Sequence, residues 1–348
     1  MTRLFLTFLV GLLGGCLLYR LKVPGGMMVG AILSVSLLNI LSGIAVMPSA
    51  AKVVAQSLAG TFIACSVDKS DLQSLPKLWR PACALIILML AINLLAGTAI
   101  YFLSPMDILT AMLCAVPGGM SDTPIIAADM GADAGKVAVM QFLRMSTGIG
   151  IFPSILIRFT KREKISPNIC AASQQTPKKH TYGLTPFLLT LVVAFFCGGI
   201  GKCSGIPAGT LVFSLLGVLA FKSFYHQAYL PMWTKRLAQV LSGAYIGCGI
   251  SKSDLLELKY MIVPAFILLI GYFLSSIMIG HILNRFFQIP LDAAMLAATP
   301  AGASDMALIS SDLGVNSKEV IELQIIRMVV VIVVFPQVIY HISCFVGG

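Results

Sequence analysis

Charge is what this sequence has least of. Only 11% of its 348 residues are Asp, Glu, Lys or Arg, against about 25% in a soluble domain. So few charges cannot cover the surface of a water-soluble protein of this size. Soluble enzymes, nucleic-acid modules and disordered chains are excluded together. Acids are scarcest, 14 against 24 basic residues, for a net charge of +10. In a soluble chain that imbalance would suggest nucleic acid; here it reads as basic loops on one side of a membrane, and direct nucleic-acid binding is not expected. The four histidines (His180, His226, His281, His341) include no pair at metal-ligand spacing. The nine cysteines form no CxxC pair and sit mostly in apolar stretches, as small buried hydrophobes. A Walker loop and a dinucleotide fingerprint are also missing. The expectation is a protein that is not an enzyme and has no resident metal or cofactor.

Apolar residues are what is present: 58% of the chain, with a mean hydropathy of +0.94. This is the composition of a polytopic, all-α membrane protein whose first partner is the lipid bilayer. Met1 to Cys16 imitates a signal peptide, and Leu13-Gly14-Gly15-Cys16 a lipoprotein cleavage box. A similar pattern recurs in mid-chain at Cys197-Gly198-Gly199, so the segment is read as a first transmembrane helix.

Slid along itself until Ala55 meets Ala238, the sequence overlays its own second half. In that register Ala55-Gln56 falls on Ala238-Gln239, and Lys69-Ser70-Asp71-Leu72 on Lys252-Ser253-Asp254-Leu255. It continues through Pro117/Pro300, Ser121-Asp122/Ser304-Asp305, Gln141/Gln324, Arg144-Met145/Arg327-Met328 and Phe152-Pro153/Phe335-Pro336. Roughly a third of positions 51–156 match without a gap. The organisation is therefore a membrane repeat over 1–160, a basic linker over 161–183 and a second repeat over 184–348.

Each repeat carries about five long apolar segments; in the first they are Leu4–Tyr19, Met27–Leu41, Ala51–Val67, Pro81–Leu103 and Val137–Phe159. A sixth, Asp107–Met130, is interrupted by Pro117-Gly118-Gly119-Met120-Ser121-Asp122. A proline and two glycines followed by an acid cannot continue a lipid-facing helix. With five spans and the broken stretch as a re-entrant hairpin, Arg20, Lys22, Lys69, Lys77, Arg80 and the linker share the cytoplasmic side, and only Arg3, Lys52 and Lys136 fall outside. Six spans would invert that bias. The second repeat follows more weakly, with Lys222, Lys235, Arg236, Arg285 and Lys318 inside and Lys202, Lys252 and Lys259 outside. An odd number of spans per repeat predicts inverted repeats: ten spans and two opposed hairpins.

Inverted repeats with interrupted helices are the plan of many secondary transporters, whose sites lie where the breaks meet. The breaks supply Gly118, Gly119 and Ser121 in one copy and Gly302 and Ser304 in the other as candidate solute contacts. Freed N–H groups there favour an anion; freed carbonyls and the carboxylates of Asp122 and Asp305 favour Na⁺ or H⁺. Asp129 and Asp312 follow these acids by seven residues, on the same helical face; they are either further coupling residues or capping groups near the membrane surface. Gln141-x-x-Arg144 and Gln324-x-x-Arg327 each put an amide and a guanidinium on one face. Arg144 lies ~10 Å along its helix from Val137, and burying it costs at least ~2.5–3.5 kcal/mol. It therefore needs a partner: a carboxylate, backbone carbonyls or a bound anion. An Arg–Asp pair, an anionic solute group and snorkelling all remain open. Gln56 and Gln239 lie among small residues, where close helix packing is favoured over ligand contact.

From Pro117-Gly118-Gly119-Met120-Ser121-Asp122 through Gly131-Ala132-Asp133 to Gln141-Phe142-Leu143-Arg144, the sequence resembles the bacterial AbrB family of membrane proteins, over both halves. The second copy departs from the pattern, with Ala301 for the first glycine and Gly314-Val315-Asn316 for Gly-Ala-Asp, so a site built from both would be asymmetric. The resemblance implies a duplicated membrane domain in the inner membrane. Family members have been labelled ammonia monooxygenases, regulators of gene expression, and transporters. The monooxygenase label requires metal ligands that the sequence does not display. Two expectations remain: a transporter of a small anionic or zwitterionic solute, or a membrane sensor that influences gene expression indirectly. A homodimer is expected only from similar architectures.

Overall fold

The computed structural model describes residues 2–67, 69–150, 184–225, 228–299 and 317–347. Among them there is no β-strand. The helices are α1 Thr2–Arg20, α2 Gly26–Ser42, α3 Ser49–Ser66, α4 Lys69–Leu103, α5 Ile108–Cys114, α6 Thr123–Met130 and α7 Ala134–Gly150 in the first repeat. The second contributes α8 Leu184–Cys203, α9 Gly209–Tyr225, α10 Met232–Gly249, the short α11 Lys252–Glu257, α12 Ile262–Phe287, α13 Leu291–Ala298 and α14 Ser317–Gly347. In the register of the repeat, α9 begins and ends on the counterparts of the first and last residues of α2, and α10 on those of α3. Over these two pairs the duplicated sequence folds into the same elements twice, whereas the counterpart of α4 is divided between α11 and α12.

Among the described residues, five stretches are long and apolar enough to cross a membrane: Thr2–Arg20, Leu78–Leu103, Leu184–Cys203, Lys259–Phe287 and Val320–Phe345. On α12, Phe266, Ile270 and Leu274 recur every four residues and are exposed, a face that suits lipid rather than water. Helices α3 and α10 are less apolar because their neighbours are protein: Gln56, Ser57, Thr61, Thr234 and Ser242 are all buried. Helix α4 starts at Lys69, well before the expected Pro81; a proline near the start of an apolar run sits within a longer helix.

The chain weaves two lobes. Helices α1, α2 and α3 pack with α8, α9 and α10, while α4, α5 and α7 pack with α12, α13 and α14. Each lobe therefore takes helices from both repeats. In the first, α1 and α2 approach so closely that a Cβ on Gly30 would fall 2.2 Å from the Gly14 carbonyl oxygen. The second has the larger core, including Leu85, Leu113, Met140, Leu268, Leu296 and Phe335. Ile125 and Ile126 of α6 join Ile63, Leu211 and Leu215 of the first lobe and Ile332 of α14 in one cluster across the seam.

Side-chain donors tie the repeats together at their helix ends. Lys222 of α9 donates to the carbonyls of Cys65 (2.7 Å) and Val67 (2.6 Å), where α3 ends. Asn39 of α2, its counterpart in the first repeat, donates to those of Cys248 (3.0 Å) and Ile250 (3.2 Å), where α10 ends. Arg236, near the start of α10, reaches the Tyr19 hydroxyl at the end of α1 (2.7 Å). Lys222 and Asn39 satisfy carbonyls that a helix leaves open at its terminus or in the adjacent loop.

Candidate functional site: the interrupted helix at the seam

The broken segment of the first repeat is legible residue by residue. Asp107 caps α5, its carboxylate accepting from the Thr110 N–H at 2.9 Å. The helix stops at Cys114, three residues before Pro117. The chain restarts at α6 with Asp122 at the N-cap position and Pro124 in the first turn, and ends at Gly131, whose φ of 82° closes the helix in the left-handed region. The Asp133 N–H then donates to Thr110 Oγ1 at 3.0 Å. The segment thus ends beside the start of α5.

Helix α5 ends inside the protein, so its terminal carbonyls need donors. Asn93 of α4 donates to Met112 O (3.1 Å). Gln141 of α7 donates to Leu113 O (3.4 Å) and Val116 O (3.1 Å). Arg144 Nη1 donates to Val116 O (2.6 Å) and Nη2 to Gly118 O. Tyr272 of α12 donates to Ala115 O, and its ring lies under the Arg144 guanidinium, 5.8 Å to the centroid. The partner that the buried Arg144 requires is therefore backbone carbonyl, not a carboxylate. A guanidinium suits the partial negative charge of a helix C-terminus.

The second repeat repeats the arrangement. Gln324 donates to Leu296 O (2.8 Å) and Thr299 O (3.1 Å), and Arg327 Nη1 to Thr299 O (2.6 Å), at the end of α13. Both arginines are 4% exposed. Gly302, Ser304, Asp305 and Asp312 lie outside the described residues.

Facing the seam, the break presents Ser121 and Asp122. Gln239 of α10 donates to Ser121 Oγ at 3.0 Å, linking the two lobes at the break itself. The small residues around Gln239 pointed to packing; the amide has this contact as well. Gln56, its counterpart on α3, is fully buried, with no hydrogen-bond partner for its amide among the described residues. Asp122 folds over the glycines: a Cβ on Gly119 would fall 2.3 Å from Asp122 Oδ2, and one on Gly118 2.3 Å from Thr123 Oγ1. The Asp122 carboxylate caps nothing, is half-buried, and makes no hydrogen bond or ion pair among the described residues. Asp129 differs, being paired with Lys52 of α3 at 2.7 Å, a second link across the seam.

Sequence reasoning missed Tyr272, Asn93 and Lys52. Asn93 and Tyr272 are isolated hydrogen-bonding groups inside long apolar helices, which is the signal that could have flagged them. Lys52 carried only its sidedness.

The family pattern described as Transition state regulatory protein AbrB matches residues 27–343. The chain belongs to the AbrB family. Among its relatives is the uncharacterized protein YhjN of Bacillus subtilis (strain 168), 26% identical over 301 residues, covering 82% of this chain and 78% of that one. Another, in Escherichia coli (strain K12), carries the name of a regulator, AbrB; it is 26% identical over 306 residues, covering 86% of this chain and 84% of its own.

Proposed function

We propose that this AbrB-family chain is a secondary transporter of the inner membrane, moving a small anionic or zwitterionic solute coupled to Na⁺ or H⁺. The observation that carries the reading is the Asp122 carboxylate, unpaired among the described residues at a helix break where two lobes meet. Structural acids find partners, as Asp129 does with Lys52. A carboxylate left without one beside freed backbone is suited to a cation that comes and goes.

The repeats are read as inverted. In support, α9 ends beside the end of α3, and α2 ends beside the end of α10. Within an up-down-up set, second and third helices end on opposite sides, so these contacts favour two sets that run in opposite senses. Lys52 and Lys202, assigned to the outer side by charge counting, also both come near Asp129.

In this reading Asp122 serves the coupling cation, and Ser121, with the backbone at Gly118 and Gly119, contacts the solute. Gln141, Arg144, Gln324 and Arg327 act through the breaks whose ends they hold. Asp305, Ser304, Gly302 and Asp312 are assigned by register alone. The seam is where one lobe would slide past the other.

The name of the Escherichia coli relative favours a second reading, a membrane sensor that acts on gene expression through the 161–183 linker. Reconstitution into vesicles separates the two. Solute uptake that requires an imposed Na⁺ or proton gradient supports transport. Binding without uptake, together with a protein captured by the linker, supports sensing.

A further inference from the structure

Away from the break, the described residues line a half-open cleft of about 360 Å³ at the seam. Asp129 and Met130 of α6 and Tyr340 of α14 form one wall. Lys202 at the end of α8, Pro207 in the following loop and Thr210 of α9 form the other. Gln337 of α14 donates to Pro207 O at 2.7 Å and fastens the walls together.

The charges in this cleft are unequal. Asp129 is neutralised by Lys52 at 2.7 Å, whereas Lys202 makes no ion pair among the described residues. The lining thus carries one uncompensated ammonium with the hydroxyls of Thr210 and Tyr340. Gly205 also lines it, with nothing within 4 Å of where a Cβ would stand, whereas Gly201 and Gly209 pack against each other's backbone. The volume lies at the small end of ligand pockets, roughly 300–1,000 Å³.

We propose that this cleft is a binding site for a small carboxylate solute, with Lys202 as counter-ion and Thr210 and Tyr340 as hydrogen-bonding partners. The carboxylate is the shared determinant. An amino group on the solute would meet Asp129 only by displacing Lys52. The assignment of the cleft as an approach site rests on the transport reading; binding itself does not need flux.

The test uses the purified full-length protein in detergent, with the unfolding midpoint followed against propionate, alanine and ethylammonium at ionic strength matched with NaCl. Propionate is expected to raise the midpoint saturably and ethylammonium to leave it unchanged. A larger rise with alanine than with propionate identifies a zwitterion, and a smaller one a plain carboxylate. Lys202→Gln is expected to abolish the rise and Lys202→Arg to keep it. Lys202 is exposed, so the substitution leaves the packing alone; Tyr340→Phe, which weakens the rise, is the independent variant. No rise with either carboxylate, or a Lys202→Gln response equal to wild type, overturns the site. A saturable rise in a protein that carries no flux contradicts the transport reading and leaves the site standing. Flux without any rise contradicts the site alone.

Discussion

Arg144 and Arg327, counterparts in the two repeats, make the same bond in two places: Nη1 donates to Val116 O and to Thr299 O, each at 2.6 Å. Each guanidinium meets the end of an interrupted helix, and each is accompanied by the glutamine three residues before it. A buried guanidinium and a helix that stops inside a membrane protein are both unfavourable alone; together they satisfy each other.

Removing that donor leaves the Gly118 carbonyl open and Val116 O with Gln141 alone. Arg144→Ala is expected to destabilise the protein by about 1–3 kcal/mol, the cost of one buried group left unsatisfied. Arg144→Lys, a point charge without the fork, restores part of it. Unfolding midpoints of the purified variants measure both. A stable Arg144→Ala that only fails to bind solute would place Arg144 in direct solute contact instead.

Asn39 and Lys222 occupy equivalent positions and hold equivalent carbonyls with different chemistry. Lys222→Asn should therefore be tolerated better than Lys222→Ala, which is expected to cost about 1.5–3 kcal/mol for lost charged hydrogen bonds. Asn39→Ala should cost about 0.5–1.5 kcal/mol. Equal midpoints for Lys222→Asn and Lys222→Ala would show that the cap is not what Lys222 supplies.

The Lys52–Asp129 pair joins the lobes while remaining partly open to solvent, with side-chain exposures of 16% and 24%. A double-mutant cycle should return a coupling of no more than about 1 kcal/mol, falling as salt is added. A coupling several times larger would make it a structural lock and argue against lobes that separate readily.

Two glycines separate fold from function. Gly30→Ala drives a methyl into the Gly14 carbonyl oxygen, 2.2 Å away, and should cost about 1–3 kcal/mol as α1 and α2 part. Gly119→Ala meets the Asp122 carboxylate, 2.3 Å away, a side chain that can swing aside. It should change ion dependence while leaving the unfolding midpoint near wild type. The reverse pattern in the two variants would contradict this division.

Much of the scaffold was legible in the sequence because period and composition are local. The register that sets Gln56 on Gln239 reappears in the ends of α9 and α10, and the proline and glycines at 117–119 mark where α5 and α6 part. The identity of Arg144's partners was not legible. A requirement for some partner follows from burial cost, but carbonyls at Val116 and Gly118 become that partner only once α7 lies against α5. The weaving of both repeats into each lobe was equally hidden, since every inter-repeat contact, such as Gln239 with Ser121, depends on packing far apart in sequence.

The most direct measurement is gradient-driven carboxylate uptake into vesicles containing wild type or Asp122→Asn, with folding of both confirmed by their unfolding midpoints. Uptake by wild type is expected, and it should collapse when the Na⁺ and proton gradients are removed. In folded Asp122→Asn, gradient-driven accumulation should be lost. Accumulation by Asp122→Asn equal to wild type would contradict the assignment of Asp122 and, with it, the central role of the break.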